Sequence, residues 1–155
     1  MIKNESIKKL NLTNLNLCRV VAKIFALAAK NLPCYEVSFC EAYLRSQTCK
    51  DIQQLEETIF CQSYLYHYNN LVKQISIPMY PKYKMNEDAM YWMGYILTYW
   101  MFLTGISARE IIDFYDLTAI LEQYDILHTM SNKVAIDIIK KDYSKVEIAK
   151  DLMLN

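Results

Sequence analysis

Hydrophobic positions recur at helical spacing along most of this chain. From residue 14 to residue 30 the apolar side chains lie three or four positions apart, as one face of an α-helix requires. Pro33 predicts that this helix ends before it, because proline cannot continue helical hydrogen bonding. A second helix is predicted over residues 35–45, where aromatic side chains recur every four positions from Tyr35.

The longest uncharged stretch, residues 89–106, predicts the central helix of the fold. Asn86, followed by two acidic residues, predicts its N-terminus, and Gly105 stands where a left-handed cap residue belongs. The predicted helix, residues 86–104, is apolar on every side, so we expect it to be the buried centre of a bundle. Gly94 lacks a side chain and would let another backbone approach closely.

Capping residues predict the shorter helices. Thr48 with Asp51 predicts a helix over residues 49–62, and Ser107 with Glu110 predicts one over residues 108–115. Asp116 alone predicts a helix over residues 117–124, and Ser144 with Glu147 predicts the last helix. Residues 132–142 are amphipathic, with inward positions predicted at Val134, Ala135, Ile138 and Ile139. Residues 64–68 fit either a helix or a short strand, and two prolines predict extended chain after them.

These elements predict an all-α, single-domain, irregular helical bundle around the aromatic helix 86–104. One short strand near residues 64–80 remains the alternative for that region. Residues 1–13 are interpreted as a flexible basic arm and residues 14–155 as the helical domain. Only two glycines occur, which excludes the glycine-rich loops of P-loop enzymes and dinucleotide-binding domains. Zero net charge disfavours nucleic-acid binding as the main function.

The cysteines and the aromatic residues bear on compartment. The five cysteines form no C-x-x-C pair, which indicates free thiols in a reducing cytoplasm. Residues 89–106 just reach the length of a membrane span, but tyrosine and tryptophan occur throughout rather than at two interfaces. Residues 20–29 resemble the apolar part of a signal peptide, although Lys23 interrupts it. We therefore expect a cytoplasmic protein outside the membrane.

Charge is unevenly distributed, although 17 basic and 17 acidic residues cancel. Residues 1–30 hold six basic side chains and one acid, whereas residues 110–130, called the acidic segment below, hold five acids and no Lys or Arg. Solvated helix surface is the more ordinary explanation, but such a segment also suits a basic partner. The candidate partner-binding residues are Glu110, Asp113, Asp116, Glu122, Asp125 and His128.

No pattern of catalytic residues is recognisable. Asp125 and His128 lie three positions apart and could share a helix face, but a di-iron site of that type needs a second such pair and further carboxylates. No Ser-His-Asp arrangement has a recognisable spacing. The sequence therefore predicts no catalytic, cofactor-binding or metal-binding residue and indicates a protein that is not an enzyme.

Three stretches, residues 35–68, 91–111 and 119–139, resemble in this order a group of small helical bacterial proteins. The shared features include the Tyr-Trp-x-Gly opening at Tyr91, the Thr-Gly-x-Ser break at Thr104 and the Tyr-x-x-Leu-His element at Tyr124. Such proteins are antitoxins or are encoded beside toxins with an ADP-ribosyltransferase-like fold. The resemblance implies a cognate toxin as partner and supplies no catalytic residues.

Together these observations predict an antitoxin-like protein that neutralises its toxin by direct binding. Two alternatives stay open. One is an enzyme of the same operon that acts on a small molecule or reverses the toxin's modification. The other is a DNA-binding operon regulator that uses the basic arm of residues 1–13.

Overall fold

The computed structural model describes residues 10–54 and 62–154, and within them it contains ten helices and no β-strand. In chain order they are α1 (Leu12–Asn31), α2 (Glu36–Leu44), α3 (Gln47–Gln53), α4 (Tyr64–Gln74), α5 (Glu87–Thr104), α6 (Ala108–Phe114), α7 (Leu117–Glu122), α8 (Tyr124–Leu127), α9 (Asn132–Asp142) and α10 (Lys145–Leu154). The predicted all-α bundle is confirmed. The alternative of a strand near residues 64–80 is wrong, because α4 occupies most of that region.

Helix α5 is the central element, as its composition predicted. The Asn86 side chain accepts a hydrogen bond from the Ala89 backbone N–H at 3.1 Å, which caps the N-terminus. Gly105 ends the helix with a φ of 74°, in the left-handed region that favours glycine. Ten residues of α5 are buried, among them Trp100, which is fully enclosed.

The main packing contact of the bundle joins α5 to α1. Gly94 lies against α1 so closely that an added Cβ would stand 2.9 Å from the Val21 carbonyl oxygen and 3.1 Å from Ala22 Cα. The ring of Phe25 sits at the same point and packs edge-on against Phe39 and another aromatic ring of α2. The close approach predicted at Gly94 is therefore present, and it is α1 that approaches.

The cap and the length predicted for α3 need correction. Ser46, rather than Thr48, caps the helix, because the Ser46 hydroxyl accepts the Cys49 backbone N–H at 3.1 Å. Thr48 is buried and instead donates its hydroxyl to the Gln74 side chain on α4. The helix ends at Gln53, and most of the predicted continuation to residue 62 lies outside the described residues.

The inward face of α9 also differs from the prediction. Ala135 and Ile139 are buried as expected, and Ile136 is also buried. Val134, by contrast, is 47% exposed, and Ile138 is only partly covered. The helix is rotated by a fraction of a turn from the predicted orientation. Its Ser131 cap places Val134 in the first turn, where the chain enters the helix from solvent.

Helix α10 is tied to the rest of the fold at its beginning. An isolated antiparallel bridge pairs Tyr115 with Ser144, and the Lys145 ammonium donates to the Ile112 carbonyl oxygen at 2.8 Å. The Ser144 hydroxyl accepts the Glu147 backbone N–H at 3.1 Å, which is one of the two hydrogen bonds of the predicted capping box. Further along, α10 buries none of its side chains.

Four cysteines lie within the described residues, namely Cys18, Cys34, Cys40 and Cys49, and all four are free and buried. Cys61 lies outside the described residues. Among the described helices, α1 is long and apolar enough to cross a membrane by length and composition, and 44% of that stretch is buried. Its buried residues contact α5, as a core helix of a soluble protein also would.

Candidate functional site

A shallow pocket lies between the outer face of α5 and the end of the acidic segment. Its volume is about 280 Å³, and its lining residues are Asp88, Tyr91, Trp92, Tyr95, Tyr124 and His128. The four residues from α5 fall at positions i, i+3, i+4 and i+7, so the helix itself places them on one face. The other two are four positions apart and face the pocket from α8 and its C-terminal cap. We call this site the aromatic pocket.

The rings of the aromatic pocket meet at defined angles. The ring centroids of Trp92 and Tyr124 are 5.7 Å apart with planes inclined by 58°, so the two rings form adjoining walls. His128 stacks on Tyr124 at 4.4 Å, and its Nδ1 lies 2.7 Å from the Tyr124 carbonyl oxygen. That hydrogen bond fixes the imidazole against the ring, so both side chains of the α8 wall are held in place.

The charged side chains at the aromatic pocket are acidic. Burial raises the pKa of the Tyr124 hydroxyl, and the carboxylates of Asp88 and Asp125 raise it further. Both acids therefore act on this wall. Asp88 is exposed at the rim, and the lining residues include no Lys or Arg. The neighbouring Glu87 instead pairs with Lys30 of α1 at 3.4 Å, at the surface.

The predicted partner-binding acids divide into two kinds. Glu110 and Asp116 stabilise helix ends: Glu110 forms a capping box with Ser107, and Asp116 accepts the Ala119 backbone N–H at 3.0 Å. Asp113 pairs with Arg109 at 3.5 Å on an exposed face.

Glu122 and Asp125 are exposed, and in the sequence they lie close to the pocket residues Tyr124 and His128. Of the six predicted residues, only His128 lines the pocket, and Asp125 acts on it through its charge.

Five of the six lining residues were not among the predicted site residues: Tyr124, and four on α5, a helix whose sequence predicts apolar residues on every side. Tyr91 is 40% exposed, and Trp92 and Tyr95 are only partly covered, so this face of the helix is not core. A signal was present in the sequence: an acid followed by aromatic residues three, four and seven positions later. Buried faces seldom begin with a carboxylate, because burying an unpaired charge is costly.

Within residues 10–54 and 62–154, no three His, Cys, Asp or Glu side chains are grouped as a metal ion would require. The comparisons with known proteins identify no relative: no protein-family model, no curated protein and no solved structure matches this chain.

Proposed function

We propose that this protein is a cytoplasmic binding protein that neutralises a toxin by direct contact with a basic surface of that toxin. The observation that supports the proposal is the aromatic pocket at the end of the acidic segment. Aromatic side chains with polar edges are the residues that most often dominate protein–protein binding energy. Here Trp92 and Tyr91 stand part-exposed beside carboxylates.

The acidic segment adds electrostatic complementarity to these aromatic side chains. Exposed acids such as Glu122 and Asp125 contribute little to folding stability, but they steer the encounter with a positively charged partner. The resemblance of residues 91–111 and 119–139 to antitoxin-like proteins covers both walls of the pocket. A toxin with an ADP-ribosyltransferase-like fold remains the partner that this resemblance suggests.

Co-expression tests the proposal. Toxin encoded by an adjacent gene should arrest growth alone and should not arrest growth when this protein is produced in at least equal amount. Purified components should then form a stoichiometric complex. Rescue at a few per cent of the toxin's level would contradict binding and favour the alternative of a modification-reversing enzyme. Absence of any complex would reject the proposal.

Charge reversal tests the acidic segment separately. Replacing Asp113, Glu122 and Asp125 by Lys should slow association with the toxin and weaken the dependence of that rate on salt. Asp116 is left intact, because losing its cap would cost about 0.5–2 kcal/mol of stability.

The matched control reverses three exposed acids on the last two helices, Asp137, Asp142 and Asp151. It changes the net charge by the same amount at a different place. If both triple variants slow association equally, net charge rather than the acidic segment governs the encounter. If neither does, the acidic segment is not the contact surface.

A further inference from the structure

The aromatic pocket has the features of a site for an organic cation. Its walls are four aromatic rings and an imidazole, and its rim carries a carboxylate. We infer that the aromatic pocket binds the guanidinium group of an arginine side chain presented by a partner protein. The source of that arginine rests on the proposed function, whereas the chemistry of the pocket does not.

Aromatic faces attract cations through the negative potential above the ring. The attraction acts within about 6 Å of a ring centroid. Because the centroids of Trp92 and Tyr124 are 5.7 Å apart, a cation at the angle between these two inclined rings can lie within that distance of both centroids. His128 backs the Tyr124 ring and holds it in position.

The carboxylates decide the sign of the ligand's charge. Asp88 supplies an acceptor at the rim, and Asp125 adds negative potential at Tyr124. A guanidinium donates two parallel hydrogen bonds to a carboxylate while its plane stacks on an aromatic ring. An anion would face the same two carboxylates without a Lys or Arg in the lining to offset them.

The size of the pocket favours a side chain over a free metabolite. Small-molecule sites usually occupy about 300–1,000 Å³ and enclose most of the ligand. The volume here is about 280 Å³, and the wall at Tyr91 is 40% exposed, so a free molecule would keep much of its surface in water. An arginine delivered by a larger partner gains the rest of its binding energy from contacts around the pocket.

Arginine fits better than lysine for two reasons. Its guanidinium is planar and more weakly hydrated than an ammonium, so stacking on one of the two rings, Trp92 or Tyr124, costs less desolvation. Its fork of donors can also reach Asp88 while the plane remains stacked, which a compact ammonium cannot do.

The two tryptophans of the chain provide an internal control for a binding experiment. Trp92 lines the pocket, whereas Trp100 is fully buried elsewhere, and the indole N–H of each gives a separate signal in an NMR spectrum. Titration with the blocked tripeptide acetyl-Gly-Arg-Gly-amide should shift the Trp92 signal and leave the Trp100 signal in place. The citrulline peptide, which has the same shape without the charge, should bind at least about tenfold more weakly.

Substitution of Asp88 tests whether the rim carboxylate contributes to arginine binding. Asp88→Asn should weaken binding of the arginine peptide by roughly fivefold, as expected for an exposed charge pair. Asp137→Asn removes an exposed carboxylate from α9 and should leave the affinity unchanged. Equal binding of the arginine and citrulline peptides, or an unmoved Trp92 signal, would overturn the inference. Tighter binding of a lysine peptide would overturn the choice of arginine.

Failure of this inference and failure of the proposed function are distinguishable. One result is that Asp88→Asn leaves the affinity for the toxin unchanged and the arginine peptide does not shift the Trp92 signal. In that case the aromatic pocket does not contact the toxin, but neutralisation by binding stands. If no toxin complex forms but Trp92 responds to arginine in an Asp88-dependent way, the pocket inference stands and its partner is another protein.

Discussion

The contact between α1 and α5 can be tested by adding one methyl group at Gly94. In the Gly94→Ala variant the new Cβ would lie 2.8 Å from Phe25 Cγ and 2.9 Å from the Val21 carbonyl oxygen. It would also lie 3.1 Å from Ala22 Cα, so two of its three close neighbours are backbone atoms of α1. A change of side-chain rotamer can relieve only the first contact, and therefore the two helices must separate.

The expected cost follows from two opposing effects. Overpacking a well-packed core costs about 1–3 kcal/mol, and the upper end applies here because the backbone must move. Alanine has a higher helix propensity than glycine by about 1 kcal/mol, which offsets part of that cost. Gly94→Ala should therefore lower the free energy of unfolding by about 2 kcal/mol, or lower Tm by about 4–8 °C.

The second glycine of the chain is the matched control. Gly105 has a φ of 74° and no atom within 4 Å of an added Cβ, so Gly105→Ala tests backbone strain without a clash. It should cost about 1 kcal/mol. Thermal melts followed by circular dichroism compare the two variants. A Gly94→Ala variant that melts at or above the wild-type temperature would refute the close approach of α1.

Two further stability predictions concern buried groups. Trp100→Ala removes a fully buried ring that packs edge-on against a tyrosine, so it should lower the free energy of unfolding by about 3–5 kcal/mol. Glu122→Ala, at an exposed site, should lower it by less than about 0.5 kcal/mol. Similar melting temperatures for the two variants would contradict the central role of α5. Burial raises the pKa of the Cys18 and Cys49 thiols to about 12 and also raises that of Cys40. The unfolded thiols ionise first as pH rises above about 9, so the free energy of unfolding should fall by about 1.4 kcal/mol per pH unit for each of the three. Denaturant titrations at pH 8 and pH 10 measure this loss, and a Cys49→Ala variant that shows the full wild-type loss would contradict it.

The sequence predicted helix ends well where the signal is local. The caps at Asn86, Ser107 and Asp116 are present as predicted, because a capping side chain bonds to a backbone N–H three residues away. Gly105 was recognisable for the same reason, since a left-handed residue after an apolar helix favours glycine. At the start of α3 the predicted cap, Thr48, instead bonds to Gln74 of α4, and the Ser46 hydroxyl caps the helix.

The aromatic pocket could not be predicted to the same degree, because it depends on how helices distant in sequence pack. Periodicity places Tyr91, Trp92 and Tyr95 on one face of α5, but only the three-dimensional packing leaves that face partly uncovered. The position of His128 against Tyr124 follows from local spacing, whereas its distance from α5 does not. Glu110 and Asp116, which charge counting places among the candidate partner-binding residues, also serve as the predicted helix caps.

Helix α5 thus has two tasks that its residues keep apart. The face with Gly94 approaches α1 and needs a side chain of minimal size, while the face with Tyr91 and Tyr95 keeps large rings near solvent. Rings held on a rigid, buried helix lose little conformational freedom on binding, and this lowers the entropic cost of recognition. Packing in the core holds α5 rigid, and its uncovered face is therefore a suitable binding surface.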